Sequence, residues 1–401
     1  MKVLVYTCLF PNHLQPNHSV FIKHRMQHFA KLDGCEIKVV NPVPFCPSWS
    51  FLEKWYPFAR LRREEILEGI EVYHPRYALI PKISMALHGI SLYLSSLNLV
   101  RRIEKDFPFD LIDGHYIYPD GFAAVLLGRA LGKPVVLSAR GTDINQFGGF
   151  RSIKPMIRHT LDRAAHVISV SQALKDRMAE IGVSDEKISV IPNGIDLNHF
   201  YVEDRVEARR RLGVSEDAKV ILSVGSLIPL KGHDVILGAF QELVRKVKGL
   251  HLYVVGEGPE RGILERKARE INLASSVSFV GQQPNRELRN WYNAADVFCL
   301  ASSREGWPNV IMEALACGTP VVATNIGGAP EILTTPEVGI LVERNPNAIA
   351  EGLLLALNRN WDRSRIHRHV SQRTWHQVAE EVKAVFDLTL LQWARKSEPA
   401  E

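Results

Sequence analysis

Two glutamates carry the clearest chemistry in this sequence. They bound the stretch Glu305-Gly-Trp-Pro-Asn-Val-Ile-Met-Glu313, which continues as Ala-Leu-Ala-Cys-Gly-Thr-Pro-Val-Val. The apolar run from Val297 reads as a buried strand, and Pro308 suits the first turn of a helix, where a missing N–H is harmless. Asn309 to Ala316 is helical in character, Gly318 suits the left-handed residue that ends a helix, and Val321 to Ala323 begin another strand. This is strand, tight loop, helix, strand, the unit of a parallel sheet. Glu305 falls in the loop at the strand's carboxyl end, where open α/β sheets bind ligands, and Glu313 lies past the first helical turn. Carboxylates so placed accept hydrogen bonds from hydroxyls and repel a diphosphate. They suit a sugar site beside a phosphate site.

A cation for that phosphate lies upstream. Gly225-Ser226-Leu-Ile-Pro-Leu-Lys231-Gly232 follows an apolar run from Val220. Glycine lets a backbone approach a phosphate, and lysine reaches it as a point charge. Gly256-Glu-Gly-Pro259 and Gly281 close two more strands, and three glycine-bearing strand ends in one sheet point to a nucleotide crevice. In the first half, Asp113-Gly-His115-Tyr-Ile-Tyr-Pro119-Asp-Gly121 puts His115 at a strand end, within reach of a sugar hydroxyl or a leaving phosphate. A structural role competes, since the chain has 15 histidines. The chain has no Asp-x-Asp, so a metal-bridged diphosphate site of that type is not expected, and the nucleophile-elbow, zinc-protease and Gly-Lys-Ser/Thr motifs are missing too.

The elements that must position these residues alternate between apolar strands and amphipathic helices, which predicts an α/β class. A length of 401 residues accommodates two such domains. The reading places an N-terminal domain at 1–195, a C-terminal domain at 196–372 and a last helix at 373–401 that packs back on the N-terminal domain. The charged stretch from Asp196 to Asp217, with Arg209-Arg-Arg211, reads as a linker. Residues 42 to 63 read as irregular. There, Phe45, Trp49, Phe51, Trp55, Tyr56 and Phe58 lead into Arg60, Arg62 and Arg63, which suits either a membrane interface or a loop over an acceptor groove. Ile83 to Val100 carries no formal charge, but His88, Gly89, Asn98 and four serines favour a buried or surface-docked helix over a spanning one.

The positive charge sits in the first half, where residues 1–200 hold 24 Lys+Arg against 19 Asp+Glu, while residues 201–401 hold 25 of each. That surface can face anionic lipid or an anionic acceptor, or be ordinary surface charge. Five scattered cysteines without Cys-x-x-Cys spacing point to a reducing compartment, and the N-terminus reads as a first strand rather than a signal peptide. Nucleic acid is not an expected partner.

Taken together, these motifs resemble glycosyltransferase family 4, with its two-domain GT-B fold of Rossmann-like, doubly wound domains facing each other across a cleft. Glu305 to Glu313 is similar to that family's Glu–seven residues–Glu motif, Gly225 to Gly232 to its phosphate loop, Gly256 to Pro259 to its Gly-x-Gly-Pro turn, and His115 to Gly121 to its acceptor-side histidine segment. Asn193-Gly194 matches the Asn-Gly that precedes its second domain. The resemblance implies a retaining, metal-independent hexosyltransferase that uses a nucleoside-diphosphate sugar, needs no cofactor, and serves polysaccharide or glycoconjugate synthesis from the cytoplasm, peripherally on the plasma membrane's inner face. It makes His115, Glu305 and Lys231 the catalytic candidates. The donor contacts would be Gly225, Ser226, Lys231, Gly256, Gly281, Glu305 on a sugar hydroxyl, Gly306, Trp307, Pro308, Asn309, Val310, and Glu313 on the ribose. Ser19, His115, Arg140 and Asn193 would face a glycan or lipid-linked acceptor. Two departures stand out: Ser226 where the family often has arginine, with Arg304 or Arg140 as candidate substitutes, and Asn17-His18-Ser19 where it often has paired glycines. A nucleotide-sugar epimerase and a non-catalytic nucleotide-sugar-binding protein stay open as alternatives.

Overall fold

The computed structural model describes residues 1–16, 18–45, 56–78, 85–146 and 150–397. Asn17, Cys46, Trp49, Phe51, Trp55 and Ile83 lie outside them. The chain forms two compact units, Met1–Gly194 with Trp375–Glu401, and Ile195–Thr374.

The first unit is built on an eight-stranded sheet. Read across, it runs Ile188–Val190, His166–Ser169, Val135–Ala139, Leu111–His115, Lys2–Tyr6, Glu36–Val40, Ile70–Tyr73 and Glu64–Leu67. All pairs are parallel except the last, which is an antiparallel hairpin at the edge. Sequence order reverses between Lys2–Tyr6 and Leu111–His115, and a doubly wound sheet leaves a crevice at such a point. Helix Val20–Phe29 and the last helix, Trp375–Ser397, share one core: Ile22, Met26 and Phe29 pack with Trp375, Val382 and Phe386 over Val3, Val5 and Leu111. The stretch from 42 to 63 is less irregular than its composition predicts. Val43–Pro44 pairs in parallel with Arg76–Tyr77, and Tyr56–Arg60 is helical.

The second unit holds a six-stranded parallel sheet, ordered Val277–Gly281, Leu250–Val255, Lys219–Val224, Val297–Leu300, Val321–Thr324 and Gly339–Val342. Its order reverses between Lys219–Val224 and Val297–Leu300. The stretch from Asp196 to Asp217 is no linker. Residues Arg205–Leu212 form a helix of this unit, capped by Asp204 and ended by Gly213 in the left-handed conformation. Arg209 is buried, donating from Nη2 to Asp296 at 2.8 Å and from Nε to the Ala294 carbonyl at 3.0 Å. Pro308 sits at the N-cap of helix Asn309–Ala316, one place before its first turn, with φ −77° and ψ 90°.

Candidate active site

The two loops that carry the second unit's candidates follow the two strands that flank its switch point. Lys219–Val224 leads into the loop with Lys231, and Val297–Leu300 leads into the loop with Glu305. Lys231 Nζ donates to Glu305 Oε1 at 2.5 Å, and Ser302 Oγ donates to the same oxygen at 2.7 Å. Among the described residues Glu305 Oε2 has no protein partner. Both loops run into helices, His233–Leu243 and Asn309–Ala316, whose N-termini carry no side-chain cap. Uncapped N–H groups and the helix dipole make such ends receptive to anions.

Glu313 stands on the fifth residue of its helix. Its Oε2 accepts from the Tyr292 hydroxyl at 2.8 Å, while Oε1 has no protein partner among the described residues. Burial pushes this carboxyl up to about 7, with the Tyr292 hydrogen bond pulling the other way.

Several glycines have a packing role that their motif does not state. A Cβ on Gly256, at φ +148°, would stand 1.9 Å from the Gly225 carbonyl oxygen; on Gly232, 2.2 Å from that of Ala301; and on Gly327, 2.1 Å from that of Glu305. They let neighbouring loops lie backbone on backbone. At Gly225 a Cβ would meet only the Lys231 and His233 side chains, at 3.7 Å and beyond, so that position has room. Gly281 ends the edge strand and its backbone carbonyl accepts from Gly256 N–H at 2.9 Å. Trp307 and Val310 pack on the core below, and Gly306 and Pro308 are buried. Motif reading passed over Tyr292, Ser302, Gly327 and Arg344. Arg344 donates to the Ala301 carbonyl at 2.9 Å beside Gly232. Only strand-end position pointed to Ser302 and Arg344.

In the first unit the structure joins His115, Arg140 and Asn193 and adds residues the motifs did not mark. Arg25 reaches from its helix to Asp113 at 2.6 Å and Ser138 at 2.8 Å, with both Arg25 and Asp113 buried. Asp113 lies 3.2 Å from His115 Nε2. Arg140 donates to His115 Nδ1 at 2.6 Å and to Asn193 at 3.0 Å. With Nδ1 accepting, Nε2 carries the proton and faces Asp113, a tautomer assigned from the hydrogen bonds. His115 is wholly buried, and burial pulls it down to about 3, aided by Arg25 and Arg140 and opposed by Asp113. It is a neutral imidazole. Burial alone would raise the Asp113 carboxyl, but Arg25 and His115 hold it below the usual carboxylate range. Asp143 accepts the N–H groups of Ile117 and Gly141 at 2.9 and 2.8 Å, tying the loop after His115 to the one after Arg140. Ser19 stands apart at the start of its helix, at φ 47° and ψ 43°. A left-handed residue is where glycine is normally found.

Residues 20–199 match the family model described as Glycosyltransferase Family 4, and residues 204–373 the model described as Glycosyl transferases group 1. Over 363 residues the chain is 31% identical to the putative teichuronic acid biosynthesis glycosyltransferase TuaC of Bacillus subtilis, covering 88% of each. The chain belongs to the family 4-type glycosyltransferases. It is also similar to the N-acetyl-alpha-D-glucosaminyl L-malate synthase of Bacillus anthracis, 26% identical over 277 residues, 69% of this chain and 71% of that protein. The glycosyltransferase has the GT-B fold. Sucrose-phosphate synthase from Thermosynechococcus elongatus matches it with a TM-score of 0.77 at 18% identity over 98% of this chain and 99% of that one. The Anabaena protein HepE, solved with UDP and glucose, matches at 0.72 and 19% identity over 96% and 99%.

Proposed function

We infer that this glycosyltransferase moves a hexose, with retention of configuration, from a nucleoside-diphosphate sugar to a hydroxyl of a glycan or lipid-linked acceptor in polysaccharide or glycoconjugate synthesis. One observation carries the reading: at the second unit's switch point a lysine and two carboxylates, each with an oxygen left open, stand among uncapped helix N-termini. That set matches a donor's parts, with diphosphate on Lys231 and helix N–H groups, a sugar hydroxyl on Glu305 Oε2, and ribose hydroxyls on Glu313 Oε1. The name of the teichuronic acid relative and the UDP bound to HepE favour a UDP-sugar and a polymer-building acceptor.

In this mechanism Lys231 stabilises the charge that grows on the leaving diphosphate as the anomeric carbon becomes oxocarbenium-like. The leaving phosphate takes the acceptor's proton on the face it departs from, so configuration is kept. Glu305 positions the sugar rather than acting as a hydrolase-type nucleophile, with Oε1 held by Lys231 and Ser302. Lysine and helix dipoles supply the cationic field, so the reaction proceeds without a divalent metal. His115, buried and neutral, orients the acceptor-side loop through Arg140 and Asn193. The enzyme works on the cytoplasmic face of a membrane.

The test is a panel of UDP- and GDP-sugars assayed for thermal stabilisation with EDTA present, then for transfer with the anomeric configuration read by NMR. A shift with one donor and a retained product are expected. No shift with any donor would sink the reading, and a shift lost with EDTA would sink metal independence. Turnover of the donor without acceptor would favour the epimerase.

A further inference from the structure

We propose that a cleft of the second unit, on the sheet edge away from Lys231 and Glu305, binds a phosphate-bearing small molecule and thereby raises donor affinity. Lys219 begins the strand Lys219–Val224, and Asp296 immediately precedes the strand Val297–Leu300. The two strands that lead into the donor loops at their ends thus border this cleft at their beginnings. Its volume is about 460 Å³, within the range of small-molecule sites. Arg205, Lys219, Arg359 and Arg363 line it, against two carboxylates, Asp204 and Asp296.

The carboxylates do not balance these cations. Asp296 Oδ1 accepts from Arg205 at 2.7 Å, while its Oδ2 accepts from Arg209 at 2.8 Å and from the Val220 N–H at 2.7 Å. One charge is divided between two arginines. Asp204 Oδ1 caps helix Arg205–Leu212 through the Glu207 N–H at 2.9 Å. Arg363 is the cation most in need of a partner. Half-buried, it donates from Nη1 to the Glu203 carbonyl at 2.9 Å, and from Nη2 to Asn293 Oδ1 at 2.7 Å and the Cys317 carbonyl at 2.9 Å. All three acceptors are neutral. Among the described residues no carboxylate pairs with Arg363, and its Nε, like that of Arg205, is buried without a hydrogen-bond partner. Burial, with Arg205 close by, pulls the Arg363 guanidinium down to about 10, so it stays charged at neutral pH. A shielded charge without a counter-charge is costly, and an anion from solution removes that cost. Arg359 stacks on Trp361, 4.4 Å from the ring centroid, which holds its planar head at the cleft. Guanidinium forks pair with phosphate oxygens through parallel N–H groups, and several around one site suit a dianion better than a single carboxylate.

Arg363 also joins the cleft to the donor site. Cys317 is the C-cap of helix Asn309–Ala316, which presents Glu313 and an uncapped N-terminus to the donor. Asn293 follows Tyr292, whose hydroxyl donates to Glu313. An anion on Arg363 holds its guanidinium against Cys317 and Asn293, and so fixes the helix that carries Glu313. This coupling rests on the donor site inferred above. By linkage, phosphate and donor raise each other's affinity by the same factor.

The experiment is calorimetric titration of the full chain with inorganic phosphate at constant ionic strength, without donor. Saturable binding is expected, and it should survive Lys231→Ala, which weakens any phosphate binding at the donor site. Lys219 and Arg359 are exposed, so Lys219→Gln/Arg359→Gln should keep the parent's phosphate-free Tm while weakening phosphate binding at least about tenfold. Phosphate should enlarge the parent's donor-induced thermal shift, and the double variant should lose that gain. The proposal is overturned by a parent that binds no phosphate, by binding that Lys231→Ala abolishes, or by a double variant that binds like the parent. A donor shift that phosphate leaves unchanged, or lowers in parent and double variant alike, overturns the coupling. A donor panel without any shift would instead sink the transferase reading and leave the phosphate titration standing.

Discussion

Lys231 Nζ and Glu305 Oε1 are 2.5 Å apart although 74 residues separate them in the chain. The lysine is thus held by the carboxylate that the donor sugar is inferred to need, and the two act as one device. Lys231→Ala should raise the barrier by about 2–4 kcal/mol, the usual loss for one preorganised donor, read as a fall in kcat. Glu305→Gln should also lower kcat, and the double variant should lose less than the sum. Strict additivity would show that the pair is not coupled in turnover.

Glu313 ties donor binding to pH. Its carboxyl is raised to about 7 by burial, while ribose hydroxyls need the ionised form as acceptor. Donor affinity should fall as pH drops below about 7, approaching tenfold per unit, when titrated calorimetrically between pH 5 and 8. Glu313→Gln should bind weakly with a flat profile.

The same shift predicts a stability change of opposite sense. A carboxyl whose folded value lies above its unfolded one favours the fold at low pH and loses that contribution as pH rises through about 7. Without donor at pH 8, Glu313→Gln should therefore gain about 1–2 kcal/mol after discounting for partial exposure, seen in urea unfolding. A loss would mean that the Tyr292 hydrogen bond outweighs burial.

Asp113 is buried with Arg25, so removing its charge leaves a buried guanidinium unpaired. Asp113→Asn should destabilise by about 3–5 kcal/mol and should loosen His115. Because His115 is pulled down to about 3, the parent's kcat/KM profile should show no histidine inflection between pH 5 and 8. An inflection near 6.5 that His115→Gln removes would contradict the buried neutral imidazole.

Gly327→Ala tests the loop packing. The new Cβ would stand 2.1 Å from the Glu305 carbonyl oxygen, so the Glu305 loop must shift. Activity should fall at least about tenfold, in line with the sensitivity of catalysis to small misplacements, with the far-UV circular dichroism unchanged.

The strand ends were legible because apolar runs that stop at polar or glycine-bearing residues are local signals, and Glu305, Lys231 and His115 all sit on such ends. What stayed hidden was tertiary. Arg209 looked like solvated linker charge because its partner Asp296 lies 87 residues away. Glu64–Leu67 and Ile70–Tyr73 form an edge hairpin whose outward charges mask its pattern. Gly256 reads as a phosphate turn, and its close approach to the Gly225 backbone could not be seen in the sequence. Arg25 falls at helical spacing with Phe21, Met26 and Phe29, but nothing near it in sequence predicts a salt bridge to Asp113.

The second unit is an insertion. The chain leaves the first unit at Gly194 and returns at Trp375, with Ile195 bridged to Thr374 where it crosses. During synthesis, Trp375, Val382 and Phe386 are made after the whole second unit, yet they complete the core around Val3 and Phe29. The unit that emerges second from the ribosome can therefore finish folding first, while the N-terminal core waits for its final helix. A transcript cut short after codon 374 would yield an intact second unit attached to a first unit with one flank of its core open to water.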